Sequence, residues 1–186
     1  ITAIRVAQQK HGRQPIRPVL VHGQFQREDQ VDSFVELGVF PSLFPMHTFY
    51  WGDWYKEIVG PERAARISPM RSILNTGLHA TSHTDAPVAL PNLMQVVWAT
   101  VNRTSRSGPI IGPDERVTPY EAMKMITLWG AEQFGEQATK GSLEPGKLAD
   151  MVILSDNPLT IDPMKINKIV VLETIKEGKT VYKRRQ

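Results

Sequence analysis

The sequence predicts a mixed α/β chain in which parallel strands alternate with helices and a smaller all-β part follows. Short apolar runs alternate with segments of helical character over residues 18–134, which is typical of a parallel α/β arrangement. Beyond Gly141 the pattern changes to short strands joined by turns. The change predicts two parts, residues 1–145 and residues 146–186.

Three apolar runs predict the strands of the first part: residues 18–22, 39–44 and 78–81. The first run ends in a polar residue, as a buried strand would. Five segments predict helices: residues 28–37, 55–66, 68–77, 92–104 and 118–134. Ser68 and Pro69 predict an N-cap followed by proline at the first helical position, and Thr118 with Glu121 forms a capping-box pattern. Residues 46–51 are predicted to form an aromatic loop.

In the second part, three segments predict strands: residues 149–154, 168–175 and 180–182. The turn at residues 177–179 joins the last two of them as a hairpin.

The composition restricts the classes of function. Hydrophobic residues make up 41% of the 186 residues, charged residues make up 22%, and the net charge is +3. The basic residues are dispersed except at residues 183–185, which we interpret as a solvated tail, so no nucleic-acid partner is expected. No apolar run approaches the roughly 18 residues that a membrane span requires, so no membrane partner is expected.

Cysteine is absent, which excludes disulfides and thiolate chemistry. It does not determine the compartment, although the cytoplasm is favoured over export. The chain starts at Ile1 and carries no signal-peptide pattern, so we expect it to derive from a longer protein.

Three polar residues follow predicted strands, where a parallel barrel gathers its chemistry. His22 ends the first strand, and His83 and Asp85 follow the third. Imidazole and carboxylate groups are preferred zinc ligands outside thiolate sites. We therefore expect His22 and Asp85 to point into one cavity, less than about 10 Å apart. For each residue a structural role is the alternative: a strand-end histidine is often satisfied by neighbours, and an aspartate before Ala-Pro often forms a turn.

The remaining histidines have weaker indications. His47 lies in the aromatic segment with Trp51, which predicts either a packed lid or a loop that contacts substrate over the barrel mouth. His79 is predicted to lie inside the third strand, buried against a helix. No role can be argued for His11.

Several segments resemble the amidohydrolase superfamily. GSLEPGKLADMVIL at residues 141–154 is similar to the closing signature of that superfamily, where the chain leaves the barrel for a small β-sandwich. The segments TI at residues 174–175 and EGKTVY at residues 177–182 resemble the last hairpin of that sandwich. RPVLVH at residues 17–22 and TDAPV at residues 84–88 resemble the sixth and eighth barrel strands of the branch that includes N-substituted formamide deformylase and exoenzyme regulatory proteins. PMH at residues 45–47 resembles the seventh-strand segment.

The resemblance implies a fold and a chemistry. The chain would be the C-terminal part, about strands six to eight, of a TIM-like barrel, followed by the terminal strands of the sandwich. His22 would be a metal ligand, and Asp85 a ligand that also takes the proton of the attacking water. His47, His83 and Trp51 would contact a small amide-type substrate. The implied cofactor is one or two divalent ions, zinc by expectation.

The sequence departs from the branch at several positions. Val21 stands where a glutamate is usual, Phe44 where a glutamine is usual, and His83-Thr84 replace a Gly-Ser pair. These departures leave the identity of the substrate open. The ligands of the earlier strands have no counterpart here, so with only two ligands we expect the chain alone to bind metal weakly and to be inactive. Uncovered strand edges also predict a homo-oligomer.

The function implied by the resemblance is hydrolysis of a non-peptide C–N bond, in an amide or formamide, by metal-activated water. Two alternatives on the same scaffold stay open, a catalytically dead regulatory protein and a heterocycle deaminase.

Overall fold

The computed structural model describes residues 1–185, which form two three-stranded sheets and a set of short helices. The first sheet contains β1 (Val19–His22), β2 (Phe40–Leu43) and β3 (Thr81–Ser82). The second contains β4 (Met151–Leu154), β5 (Val171–Lys176) and β6 (Lys179–Lys183). The helices are α1 (Thr2–His11), α2 (Glu28–Leu37), α3 (Met46–Val59), α4 (Pro61–Ala65), α5 (Met70–Asn75), α6 (Leu93–Asn102), α7 (Pro119–Ile126) and α8 (Leu128–Gln133). None of the helices within residues 1–185 is long and apolar enough to cross a membrane.

The first sheet is parallel, in the order β1-β2-β3, which confirms the predicted mixed α/β arrangement. In the register of this sheet, Leu43 at the end of β2 pairs with His22 on one side and with Ser82 on the other. The carboxyl ends of the three strands therefore lie at one edge of the sheet.

The core lies around β2 and α6. All four residues of β2 are buried, as expected for a central parallel strand covered on both faces. From Val96 to Asn102, α6 is buried without interruption. Its Trp98 donates a hydrogen bond to the carbonyl of Met164 at 3.1 Å, and Ile166 and Ile169 belong to the same apolar core. The second part of the chain therefore shares a core with the first, and the division at residue 145 stays a prediction.

The strand β1 is less buried than predicted. The side chain of Val21 is 59% exposed, and Val19 is also exposed. Within residues 1–185, β1 pairs only with β2, so it is an edge strand whose outer side lacks a neighbour. The third strand is shorter than predicted, because pairing begins at Thr81.

The aromatic segment predicted as a loop is helical, since residues 46–51 form the first turns of α3. The predicted helix 55–66 divides between α3 and α4, because Gly60 adopts a φ of +80° that a helix cannot continue. The helix predicted over residues 118–134 divides at Thr127, whose φ and ψ of −128° and −93° interrupt it. Residues 2–11, for which no element was predicted, form α1.

The capping prediction at Ser68 is wrong, and the one at Thr118 is confirmed. Ser68 has a φ of +47°, and its hydroxyl donates to the carbonyl of Phe44 at 3.1 Å instead of capping α5. At α7, the Glu121 amide donates to Thr118 Oγ1 at 3.2 Å, and the Thr118 amide donates to the Glu121 carboxylate at 2.7 Å. Two of the amides that lack intrahelical partners at the start of that helix are therefore satisfied.

The second sheet is antiparallel, with β5 between β4 and β6. Glu177 and Gly178 both have positive φ, +49° and +76°, which a two-residue hairpin turn of this hand requires. The hairpin predicted from the turn at residues 177–179 is confirmed. Several apolar residues of this sheet remain exposed, including Val152 and Val181.

Candidate metal centre

Three polar side chains converge at the carboxyl edge of the parallel sheet. His22 Nδ1 lies 3.2 Å from His83 Nε2, and His22 Nε2 lies 3.3 Å from Asp85 Oδ2. One potential ligand atom from each of the three residues lies within 4.8 Å of those of the other two. The separation of His22 and Asp85 is well below the limit of about 10 Å expected from the sequence.

The register of the sheet explains why residues so far apart in sequence meet. Since His22 and Ser82 both align with Leu43, His83 and Asp85 emerge beside His22. The backbone then turns sharply, with φ of +70° at His22 and +51° at Asp85. Left-handed backbone at residues other than glycine costs on the order of 1–3 kcal/mol and clusters at functional sites.

Gly23 allows the turn that follows His22. Its φ is +49°, and a Cβ at this position would collide with the side-chain amide of Gln26 and lie 2.9 Å from Leu43 Cδ2. Gln26 closes the same turn by donating to the Gly23 carbonyl at 2.7 Å. A larger residue at position 23 would therefore strain the left-handed backbone and push aside the side chains of Gln26 and Leu43.

His47 lies beside the three polar side chains and, with Phe44 and Trp51, forms a wall of aromatic rings along one side of the site. It is 7% exposed, and its ring lies 5.8 Å from that of His22 and 4.7 Å from that of Phe44. Burial, and then the charges of His22 and His83, lower the pKa of His47 to about 4, so its imidazole is neutral near pH 7. Its Nδ1 is buried and has no hydrogen-bond partner among residues 1–185.

Trp51 lies one helical turn beyond His47, on the outer side of this wall. Its ring is 5.8 Å from that of His47 and 6.2 Å from that of Phe44. His47 and Trp51, predicted as neighbours in a substrate-contacting loop, are therefore neighbours on a helix.

His83 packs against both His22 and Phe44. Its ring stacks on Phe44 at 5.4 Å and on His22 at 4.9 Å. Burial, and then the charge of His22, lower the pKa of His83 below its usual value. Its Nε2 is directed at His22.

Two other histidines lie away from the site. His79 was expected to be buried in a strand, but it is exposed and precedes β3. Its ring stacks on Trp129 at 4.6 Å, and its Nδ1 lies 2.5 Å from a carboxylate oxygen of Glu132. His11 ends α1 and is exposed.

A support that the sequence analysis missed lies behind the site. The amide of Ser68 donates to the carbonyl of Gln24 at 2.9 Å, and its hydroxyl bonds Phe44, so Ser68 joins the chain just after β1 to the end of β2. The carbonyl of Ser68 accepts from Arg103 Nη1 at 3.1 Å. The sequence around Arg103 did not predict that this charged residue is buried, because its burial results from contacts with residues far away in sequence.

The donor set fits a divalent cation. Two imidazoles and one carboxylate, without a thiolate, suit zinc and neighbouring first-row ions. The side chains of His22 and Asp85 remain 41% and 32% exposed, so an ion and a small molecule can reach them from solvent.

Comparisons with known proteins identify relatives of this chain. N-substituted formamide deformylase of Arthrobacter pascens is 28% identical over 166 residues, which cover 89% of this chain and 31% of the relative. The putative amidohydrolase YtcJ of Bacillus subtilis is 23% identical over 187 residues, which cover 99% of this chain and 35% of the relative. The chain therefore spans about a third of the length of these curated relatives.

Among solved structures, an uncharacterized metal-dependent hydrolase from Pyrococcus horikoshii superimposes with a TM-score of 0.69 at 23% identity, covering 87% of this chain and 32% of that one. A model of the amidohydrolase family matches residues 1–182. Because that match extends over nearly the whole sequence, the chain belongs to the amidohydrolase family.

Proposed function

We propose that this chain is part of a metal-dependent hydrolase that cleaves a non-peptide C–N bond, in an amide or a formamide. The supporting observation is the 3.3 Å separation of His22 Nε2 and Asp85 Oδ2 at the carboxyl edge of a parallel sheet. We assign His22 and Asp85 as metal ligands and Asp85 as the catalytic carboxylate. We further assign β1, β2 and β3 as about the sixth to eighth strands of a TIM-like barrel within residues 1–145, and residues 146–186 as part of a small sandwich.

A divalent ion held by His22 and Asp85, zinc in this proposal, would lower the pKa of a water and polarise the scissile carbonyl. Asp85 would accept a proton from the attacking water as the water oxygen bonds to the carbonyl carbon. Asp85 then returns the proton to the nitrogen as the C–N bond breaks. The products are a carboxylic acid and an amine, and the side chain of Asp85 is again an ionised carboxylate.

The buried wall beside the ion site is the proposed substrate contact. His47 is neutral near pH 7, so its imidazole can hydrogen-bond an uncharged amide. Phe44 and Trp51 extend the wall with aromatic surface. This surface favours a substrate with an apolar or aromatic substituent.

We propose that the chain is inactive without the rest of its protein. It spans about a third of the length of its curated relatives. The metal ligands that the family takes from its earlier strands have no counterpart in this chain.

The test is an assay of the full-length protein that contains this chain, with and without stoichiometric zinc, against N-substituted formamides, simple amides and heterocyclic amines. Zinc-dependent release of amine from an amide or formamide, abolished by a chelator, supports the proposal. Release of ammonia from heterocycles, with no amide turnover, assigns the deaminase alternative. Purification without bound metal, and no turnover with added zinc, assigns the regulatory alternative.

We also propose that the chain forms a homo-oligomer. The outer side of β1 is unpaired within residues 1–185, and Val21 on that strand is largely exposed. Unpaired strand edges favour pairing with another copy. Light scattering measures the mass in solution.

A further inference from the structure

We propose that His83 is a third metal ligand, so that His22, His83 and Asp85 form a two-histidine, one-carboxylate set supplied by one chain. This inference rests on the proposed function, which places an ion at this edge of the sheet. It goes beyond the family resemblance, which provides ligands at positions 22 and 85 but has Gly-Ser where this chain has His83-Thr84.

The spacing of the three side chains fits a shared ion. Ligands about 2.0–2.1 Å from a tetrahedral zinc lie about 3.3 Å from one another. One ligand atom from each of His22, His83 and Asp85 lies within 4.8 Å of those of the other two, so small side-chain adjustments bring all three onto one ion. The shortest contacts, 3.2 Å to His83 and 3.3 Å to Asp85, involve different nitrogens of His22, so only one of them is a ligand–ligand distance around the ion.

The backbone and the stacking of His83 hold its imidazole in this place. The amide of His83 donates to the carbonyl of Leu43 at 3.0 Å, which extends the β2–β3 pairing by one residue. The ring lies nearly parallel to that of Phe44, with 16° between the planes, and Phe44 is fully buried. A ligand held by packing loses little side-chain entropy when an ion binds.

The charge balance at the site also favours a cation. Within residues 1–185, Asp85 forms an ion pair with His22 and with no lysine or arginine. A half-buried carboxylate beside two imidazoles therefore offers negative charge that no resident cation neutralises. A divalent ion would provide that neutralisation.

With His83 as a ligand, this chain supplies three protein ligands to the ion. Three protein ligands are the usual set for a catalytic zinc, so the chain should bind one ion per molecule by itself. Its affinity should exceed that of a site built from His22 and Asp85 alone.

The test is zinc and cobalt titration of the purified protein, with a chromophoric chelator as competitor. We expect one ion per chain and a loss of affinity of at least about 100-fold in His83→Gln, beyond the 10- to 100-fold typical of residues that only support a ligand. His79→Gln is the matched control, because it removes a nearby imidazole outside the site, and it should bind as the wild type does. Circular dichroism checks that each variant folds.

X-ray absorption spectroscopy of the zinc-loaded wild type gives a second readout that needs no variant. We expect two imidazoles in the first coordination sphere, and one imidazole would overturn the role of His83. Equal affinity in His83→Gln and wild type, while His22→Gln loses binding, would also overturn it and leave the proposed function intact. Absence of ion binding by the wild type would instead contradict the proposed function itself.

Discussion

The guanidinium of Arg103 donates to the backbone carbonyl of Ser68 at 3.1 Å, and through this contact the end of α6 supports the edge of the sheet where His22 and His47 lie. Arg103 is 1% exposed and also donates to the carbonyls of Ala65, Ile67 and Ile111, at 3.3, 2.7 and 2.7 Å. Burial lowers the pKa of Arg103 to about 10, so the group remains charged at neutral pH. The backbone carbonyl groups therefore stabilise the buried positive charge of Arg103.

We expect Arg103→Met to destabilise the protein by about 3–5 kcal/mol, because it leaves several buried carbonyls without donors. Urea denaturation followed by circular dichroism measures the free energy of unfolding. Arg106→Met is the control, since Arg106 is exposed, and it should change stability by no more than about 0.5 kcal/mol. Similar losses in the two variants would show that the carbonyl contacts of Arg103 contribute little.

Ser68 provides a prediction that separates a lost hydrogen bond from backbone strain. Ser68→Ala should cost about 1–2 kcal/mol, because the buried carbonyl of Phe44 loses its donor. Ser68→Gly loses the same hydroxyl but accepts the φ of +47° without strain, so it should be more stable than the alanine variant by about 0.5–1 kcal/mol. Thermal and urea unfolding of the pair measure the difference, and a glycine variant less stable than the alanine variant would contradict this account of the strain.

The Arg71–Glu121 ion pair predicts a dependence of stability on acid pH. The Arg71 guanidinium, with further hydrogen bonds from Thr118, lowers the pKa of Glu121 from 4.5 to about 2. Because the pKa is depressed in the folded state, the stabilisation is present above pH 4.5 and is lost as the pH falls toward 2. The side chain is only 22% exposed, so we expect about 2–3 kcal/mol.

Glu121→Gln should therefore flatten the fall in unfolding free energy between pH 4.5 and 2, measured by urea denaturation at several pH values. Glu62→Gln, at an exposed position on α4, is the control and should keep the wild-type slope. Equal slopes in wild type and Glu121→Gln would exclude this pair as the source of the acid sensitivity.

Asp85 carries the prediction on activity. In the protein with a complete site, Asp85→Asn should lower kcat by about 100- to 10,000-fold, the range expected when a general base is removed. Zinc content must be measured in parallel, because the same carboxylate is a proposed ligand. Asp114→Asn, at an exposed position, should leave kcat unchanged. A fully zinc-loaded Asp85→Asn enzyme with wild-type kcat would remove Asp85 from the mechanism.

The exposed edge of β1 carries the prediction on assembly. Val19→Lys should shift the protein toward a smaller mass in light scattering, because a lysine on an edge strand opposes pairing with another copy. Val6→Lys, an exposed position on α1 outside the sheets, serves as the control and should leave the mass unchanged. A wild-type protein that is monomeric throughout the accessible concentration range would contradict the proposal.

The sequence alone determined the features that depend on short-range patterns. The alternation of strands and helices, the capping box at Thr118 and the hairpin at Glu177 and Gly178 follow from local spacing and backbone preference, and the structure has them. The family also followed from contiguous motifs, above all that of residues 141–154. The closeness of His22 and Asp85 could be expected because parallel strands end at one edge of their sheet.

Only the tertiary structure decided which distant groups contact one another and how deeply they are buried. The direction of His83 toward His22, across 61 positions, and the burial of Arg103 against Ser68, across 35, depend on packing that no local pattern encodes. The same holds for His79, which lies exposed against Trp129, and for the helical start of α3. Local propensities differ by about 1 kcal/mol or less per residue, whereas burial of a large side chain contributes about 1.5–3 kcal/mol, so the packed neighbours prevail.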